Sequence, residues 1–143
     1  MSGEIAMYIQ ILGNYIEKYI IIGIIIFIFV FSVFLFRLVK KEKIYAMFTM
    51  SVLILFSVVY LFMIKDAFVD YKEQTIIVNT GTIQHNVSDS FIAEDILFIP
   101  QNSDESISIN DNFLSGVNCP YGKYRATIVY GENSKILLYV HTE

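Results

Sequence analysis

Two uncharged apolar runs joined by a short basic link constrain the fold of this chain most. The runs are Tyr19–Phe36 and Ile44–Ile64, with 18 and 21 residues, and neither contains Asp, Glu, Lys or Arg. At about 1.5 Å per helical residue they extend roughly 27 and 32 Å, and the bilayer core is about 30 Å thick. The runs therefore predict a two-helix transmembrane hairpin, 19–64, with spans 19–36 and 44–64.

The basic side chains of residues 1–64 concentrate in the loop between the runs, residues 37–43. They are Arg37, Lys40, Lys41 and Lys43. Lys and Arg near the ends of spans favour the cytoplasmic side. We therefore predict a multi-pass protein of the cytoplasmic (inner or plasma) membrane, with this loop in the cytoplasm and both termini outside. The same cations suit the headgroups of anionic lipids.

Residues 1–18 form an amphipathic N-terminal segment. Its apolar residues recur at spacings of three and four, as on one face of a helix: Ile5, Tyr8, Ile9, Leu12 and Ile16. The segment either lies on the outer membrane surface or extends the first helix. Glu4 and Glu17 precede the first run, whereas secretory signals begin with basic residues, so we interpret the run as a retained anchor.

Small side chains within the runs mark the predicted contact between the two helices. They are Gly23 in the first run and Ala46, Thr49 and Ser57 in the second. Small residues allow two helix backbones to approach closely in a membrane. The runs contain no ionisable Asp, Glu, Lys or Arg side chain that would indicate an ion path, which argues against a channel or transporter.

The chain after the juxtamembrane linker, residues 65–73, has a different composition. Residues 74–143 carry three basic and eight acidic side chains, a net charge of −5. Such a domain repels phosphate backbones, so we predict no nucleic-acid partner.

Short alternating segments separated by turn residues predict a small all-β domain in residues 74–143. The predicted strands are Gln74–Asn79, Thr82–Val87, Ile96–Pro100, Ser106–Ile109, Tyr124–Tyr130 and Ser134–His141. Turns are predicted at Asn79–Gly81, Asn110–Asn112 and Gly131–Asn133, and a helical turn capped by Ser88 over 88–95. The predicted fold class is membrane α+β, with an OB-like or SH3-like barrel or sandwich after the hairpin.

No set of side chains in the sequence predicts catalysis or a cofactor. Cys119 is the only cysteine, which excludes an intramolecular disulfide and a zinc framework built from cysteines. It would need His85 or His141 beside it to act as a nucleophile, and nothing in the sequence places them together. The adjacent Glu94 and Asp95 point apart, unlike the facing acids of glycosidases.

Oxygen-rich turns raise the question of a calcium site. Asn102–Glu105 and Asn110–Asn112 hold many oxygen ligands, but they lack the spacing and terminal Glu of an EF-hand loop. Asn and Asp in turns usually bond their own backbone. We therefore predict no metal site.

The general layout resembles small membrane proteins of Gram-positive bacteria that carry a two-helix anchor and a β tail. We predict a non-enzymatic, extracytoplasmic protein-interaction module, such as an immunity or exclusion factor or an accessory subunit of a membrane complex. Its predicted partners are the bilayer and another protein or a second copy. The alternative is a membrane sensor, because certain bacterial antiphage effectors resemble this layout, with a cytoplasmic β-barrel that reads a nucleotide signal.

Overall fold

A computed structural model describes residues 2–87 and 93–143 of the chain. It contains two long helices, α1 (Ser2–Val39) and α2 (Lys43–Glu73), followed by five strands. The chain divides into two compact units. The helical unit is Glu17–Lys65, and the sheet unit combines Met1–Ile16 with Asp66–Glu143.

The helical unit exposes most of its apolar surface. Its helices are long and apolar enough to cross a membrane, and only 11% and 6% of their most apolar windows are buried. Phe29 and Phe62, for example, are 69% and 73% exposed. A core helix of a water-soluble protein would be mostly buried, so this surface needs lipid or other protein to cover it.

The two helices of the helical unit meet along small and aromatic side chains. Gly23 lies against the ring of Tyr60, where a Cβ atom would collide with that ring. The Tyr60 ring also stacks on Tyr19, with 4.2 Å between ring centroids, and its hydroxyl donates to the Tyr19 carbonyl. This hydrogen bond gives the Tyr60 hydroxyl an acceptor between the two helices.

The other predicted packing residues lie on α2. Ala46 is buried, whereas Thr49 and Ser57 are half-buried. The Thr49 hydroxyl donates to the Tyr45 carbonyl at 2.8 Å and the Ser57 hydroxyl to the Leu53 carbonyl at 2.8 Å. Both hydroxyls are therefore satisfied within their own helix.

The sheet unit contains a five-stranded antiparallel sheet that curls into a half-barrel. Its strands are β1 (Ile76–His85), β2 (Ala93–Pro100), β3 (Ile107–Asn112), β4 (Gly122–Gly131) and β5 (Leu137–Thr142). The strand order is β3-β2-β1-β4-β5. The curl brings the two outer strands together at one point, the bridge between Asn110 and Ile136.

The interior of the half-barrel is apolar. Its buried members include Ile83, Phe98, Ile109, Ile128 and Leu137, at least one from each strand. These residues alternate with more exposed ones along β1 and β2, as expected for strands with one buried face.

Helical segments pack with the sheet inside the sheet unit. Tyr8 of α1 contacts Tyr139 of β5, with 5.8 Å between ring centroids. Tyr139 pairs with Val129, which is buried on the same face of the sheet. Gly13 of α1 lies against the ring of Tyr71 of α2, where a Cβ atom would come within 2.8 Å of the ring.

The residues that the structure describes form five strands, whereas the sequence predicted six. The two predicted strands 74–79 and 82–87 are one strand, β1, so the predicted turn at Asn79–Gly81 is wrong. Gly81 serves close packing instead: a Cβ atom there would collide with the Ile99 carbonyl of β2. Glycine inside a strand often marks such an approach of another backbone.

Three predicted boundaries also differ from the structure. Asn110–Asn112 is not a turn but the end of β3, paired with Ala93–Asp95 of β2. The helical turn predicted over 88–95 falls mostly on 88–92, which lie outside the described residues, and Ala93 already begins β2. The last loop extends beyond Gly131–Asn133, since β5 begins at Leu137 after a turn with Lys135 at φ 56°.

Candidate functional site

The basic residues of the predicted cytoplasmic loop lie where α1 and α2 join. Arg37 is in the last turn of α1, 3.9 Å from the Glu42 carboxylate and 5.3 Å from the Tyr45 ring centroid. Lys40 lies 4.6 Å from the centroid of Phe36, and Lys41 adopts φ 60° in the turn. Lys43 begins α2. Arg37 thus has an acidic and an aromatic neighbour, an arrangement typical of an ordered turn.

The sheet unit brings together three side chains that the sequence kept apart. A ring nitrogen of His85, Sγ of Cys119 and a carboxylate oxygen of Asp111 all lie within 4.8 Å of one another. His85 ends β1, Asp111 lies on β3, and Cys119 lies in the loop before β4. We call these three residues the His–Asp–Cys cluster. The curl of the sheet assembles it, because β2 separates β1 from β3 in the strand order.

The hydrogen bonds of His85 assign its tautomer. Nδ1 lies 3.1 Å from the Cys119 carbonyl and 3.2 Å from the Pro120 carbonyl. Carbonyl oxygens only accept, so Nδ1 carries the proton and donates it. The ring of Tyr121 covers His85, with 4.4 Å between ring centroids.

Tyr124 of β4 adjoins the sulfur of the cluster. Its hydroxyl donates to the Pro120 carbonyl at 2.7 Å, so the Cys119 thiol is the donor in the 3.2 Å contact between Sγ and that hydroxyl. Burial raises the pKa of Tyr124, and its hydrogen bond to Cys119 and the charges of Cys119 and Asp111 raise it further. Tyr124 therefore stays protonated at neutral pH, and its hydroxyl can still donate a hydrogen bond.

The burial of the His–Asp–Cys cluster disfavours a catalytic role. His85 and Cys119 are only 2% and 4% exposed. A nucleophilic thiol has to reach its substrate, and reactive cysteines are at least partly exposed. His141, the other candidate base, lies exposed on β5 opposite Thr127. The oxygen-rich stretch 102–105 is also exposed, and Ser103 there accepts a hydrogen bond from the Glu105 amide at 3.1 Å.

A second buried polar group lies at the other end of β1. The Asp70 side chain is fully buried and accepts hydrogen bonds from the Asn133 amide (2.9 Å), the Asn133 side chain (2.7 Å), the Ser134 amide (2.8 Å) and the Thr75 hydroxyl (2.8 Å). We call this the Asp70 clamp. It joins the last turn of α2 to the loop between β4 and β5.

Two opposing effects determine the pKa of Asp70. Burial raises it, but the hydrogen bonds from Ser134, Asn133 and Thr75 together lower it more. The carboxylate is therefore ionised at neutral pH, with donors around it. An acid is unfavourable in the last turn of a helix because of the helix dipole, and these hydrogen bonds offset that cost.

The point where β3 meets β5 leaves a polar atom unsatisfied. The Asn110 amide donates to the Lys135 carbonyl at 2.8 Å, next to the bridge with Ile136. Yet the Asn110 Oδ1 atom is buried and has no hydrogen-bond partner among the described residues. From Leu137 to Thr142, β5 pairs with β4 on one side, and the described residues provide no strand on the other. We call this free side of β5 with Asn110 the β5 edge.

Sequence reasoning missed the Asp70 clamp, the His–Asp–Cys cluster and the unsatisfied atom of Asn110. Each depends on side chains from distant segments; Asp70 and Asn133, for instance, are 63 residues apart. The one available indication for the clamp was an acid in the final turn of a helix, a position that usually favours basic residues.

Comparisons with protein-family models, with curated proteins and with solved structures found no significant match to this chain.

Proposed function

We propose that this protein is a two-span membrane protein whose half-barrel, as an OB-like or SH3-like module, binds another protein on the outer side of the cytoplasmic membrane. The observation that carries the proposal is the β5 edge. An edge strand has unpaired backbone groups that a strand of another chain can complete. The buried Oδ1 of Asn110 supplies an acceptor that lacks a donor within the described chain.

The charge of the domain indicates which partner suits it. The net charge of −5 over residues 74–143 favours a neutral or basic segment and disfavours an acidic one. The partner is therefore an extended segment of another protein, as in an immunity or exclusion factor or an accessory subunit. Burial of His85 and Cys119 supports a non-enzymatic role.

Photo-crosslinking from β5 tests the proposed partner contact. A photoreactive residue at His141, which is exposed on β5, should capture a protein in cells. The matched control is Val78, which is 60% exposed on the central strand β1 and should capture nothing. Failure of His141 to capture any protein or second copy, in intact cells and after mild detergent extraction, contradicts the proposal.

The substitution Asn110→Ala tests whether Asn110 contributes to partner binding or only to the stability of the fold. Because Oδ1 has no donor within the described chain, its removal should leave the free energy of unfolding unchanged or raise it, within about 1 kcal/mol. The same substitution should reduce the crosslink from His141. Loss of stability by several kcal/mol with unchanged crosslinking would show that Asn110 serves the fold alone.

The proposed topology follows from the positive-inside rule applied to the basic turn between α1 and α2. It is tested with two variants that each carry one added cysteine, Asp104→Cys in an exposed turn and Lys41→Cys in that basic turn. The native Cys119 is buried and contributes little labelling. A membrane-impermeant maleimide should label position 104 in intact cells and position 41 only after lysis. The opposite pattern would support the ligand-reading sensor and refute an outer-face partner.

A further inference from the structure

We propose that the His–Asp–Cys cluster binds a single Zn²⁺ ion, with His85, Asp111 and Cys119 as ligands. The proposal does not depend on the proposed function, because the cluster lies at a different place on the sheet from the β5 edge. It rests on the identity of the ligands, their convergence, and the hydrogen bonds around them.

The three side chains are the types that Zn²⁺ prefers. Zinc binds thiolate sulfur at about 2.3 Å and imidazole nitrogen or carboxylate oxygen at about 2.0–2.2 Å. Tetrahedral ligand atoms around such an ion lie about 3.3–3.8 Å apart. The ligand atoms here all lie within 4.8 Å of one another, so closing on an ion requires movements of about 1 Å at most. A mixed sulfur, nitrogen and oxygen set also disfavours Ca²⁺ and Mg²⁺, which prefer oxygen.

The surroundings of His85 already match those of a metal-bound histidine. Metal-binding histidines commonly donate their second ring N–H to a carbonyl or carboxylate, which fixes the ring and leaves the other nitrogen as ligand. Nδ1 of His85 donates to the Cys119 and Pro120 carbonyls, which fixes the ring beside Cys119. The carbonyls belong to the same loop as the Cys119 ligand, so one loop orients two ligands.

The sulfur has a neighbour that suits a thiolate. In the metal-free protein the thiol donates to the Tyr124 hydroxyl, 3.2 Å away. When Zn²⁺ binds, the thiol proton leaves to the solvent, and the Tyr124 hydroxyl is placed to turn and donate to the sulfur. The fourth coordination position is left to a water molecule, as in zinc sites with three protein ligands. Because zinc binds the thiolate form of cysteine, the binding releases the thiol proton of Cys119.

The bound ion would fix the end of the sheet opposite the Asp70 clamp. Its ligands come from β1, from β3 and from the loop that leads into β4. Zinc ligated by such separate segments stabilises a fold because the unfolded chain does not present the site.

The test uses the full chain in detergent, stripped with a chelator and then titrated with ZnCl₂ or CoCl₂. We expect one Zn²⁺ per chain, release of about one proton per ion, and a higher melting temperature. Co²⁺ should produce a near-ultraviolet thiolate charge-transfer band and the strong visible bands of tetrahedral cobalt. Absence of stoichiometric binding, or a cobalt spectrum without the thiolate band, overturns the proposal.

Variants identify the ligands. His85→Gln, Asp111→Asn and Cys119→Ser should each weaken binding by at least about 100-fold, the upper range for removing a group that only orients a ligand. The matched controls His141→Gln and Asp104→Asn replace exposed residues outside the cluster and should bind as the native chain does. Native affinity in His85→Gln or Asp111→Asn assigns the ion elsewhere and overturns the proposal.

A measurement on the native chain covers the case in which a variant does not fold. Zn²⁺ should slow the alkylation of Cys119 by at least tenfold in partly destabilising detergent, because a metal-bound sulfur is not available to the reagent. Mg²⁺ at the same concentration should have no effect, since it binds oxygen ligands. Equal alkylation rates with and without Zn²⁺ overturn the assignment of Cys119.

Discussion

The two ends of β1 carry buried polar groups of opposite character. At the start of the strand the Asp70 carboxylate is surrounded by donors and is satisfied by the chain itself. At the end of the strand, a ring nitrogen of His85, a carboxylate oxygen of Asp111 and Sγ of Cys119 lie within 4.8 Å of one another. The first arrangement completes a fold, whereas the second is organised to receive a cation. Buried polar groups therefore do not all serve the same purpose, and the balance of donors and acceptors distinguishes them.

The strongest test of this contrast removes the Asp70 carboxylate. Asp70→Ala leaves the amides of Asn133 and Ser134 without their acceptor, so we expect a loss of about 3–5 kcal/mol in the free energy of unfolding. Asp66→Ala, an exposed acid on the same helix, is the control and should cost less than about 0.5 kcal/mol. Denaturant unfolding of the full chain, followed through its β-sheet circular dichroism, measures both. Equal effects in the two variants would remove the distinction between the ends of β1.

Acid should abolish the stabilisation that the Asp70 clamp gives the native chain. Because the folded pKa of Asp70 is below its ordinary value of 3.8, the clamp stabilises fully above that value. Its contribution is lost as the pH falls through the lower, folded pKa. Native and Asp70→Ala chains should therefore differ strongly in melting temperature at pH 7 and progressively less below pH 3.8. A difference that stays constant down to the lowest pH contradicts this assignment.

Gly131→Ala tests the clamp from its opposite side. A Cβ atom at Gly131 would collide with the Asp70 carboxylate and the Ser134 hydroxyl. We expect a loss of about 1–3 kcal/mol, since overpacking forces neighbouring groups apart. Gly3→Ala is the matched control, because a Cβ atom there has no neighbour within 4 Å. Thermal unfolding compares the two variants. An unchanged stability of Gly131→Ala would show that the Asp70 carboxylate moves aside without cost.

The other end of β1 should respond differently when metal is absent. Asp111 is only half-buried, so Asp111→Asn in chelator-treated protein should change the free energy of unfolding by less than about 1 kcal/mol. Asp70→Asn should cost distinctly more, because the fully buried Asp70 accepts from several amide donors. The same denaturant titration measures both variants. A larger cost at Asp111 would mean that the His–Asp–Cys cluster supports the fold without an ion.

The smallest expected effect is stabilising. Gln74 follows the last residue of α2 at φ 57°, and the Thr75 amide donates to the Asp70 carbonyl at 3.1 Å. This is the helix ending at which glycine is most common. Gln74→Gly should raise the free energy of unfolding by about 0.5–1 kcal/mol, measured by thermal unfolding beside the native chain. A destabilised variant would show that the Gln74 side chain contributes more than its backbone costs.

The sequence predicted the parts of the fold that depend on local pattern. The apolar runs predicted two long helices, and alternation predicted β structure after them, which the structure confirms. Gly81 was misinterpreted as a turn because glycine is used both in turns and where two backbones pack closely, and only the neighbouring strand β2 distinguishes the two.

The candidate sites could not be predicted because they depend on tertiary structure. His85 and Cys119 are 34 positions apart, and β2 lies between the strands that carry His85 and Asp111. Only the curl of the sheet brings these side chains together. The unsatisfied Asn110 atom likewise depends on where β3 meets β5.

The connection between α2 and β1 is short and fully tied. Only Gln74 and Thr75 separate Glu73 from Ile76, and Thr75 bonds Asp70 through both its amide and its hydroxyl. The Thr75 carbonyl also accepts from the Glu132 amide at 3.0 Å. These hydrogen bonds therefore hold the connection between α2 and β1 in one conformation. A rotation of the last turn of α2 would therefore be transmitted to β1 and to the loop between β4 and β5.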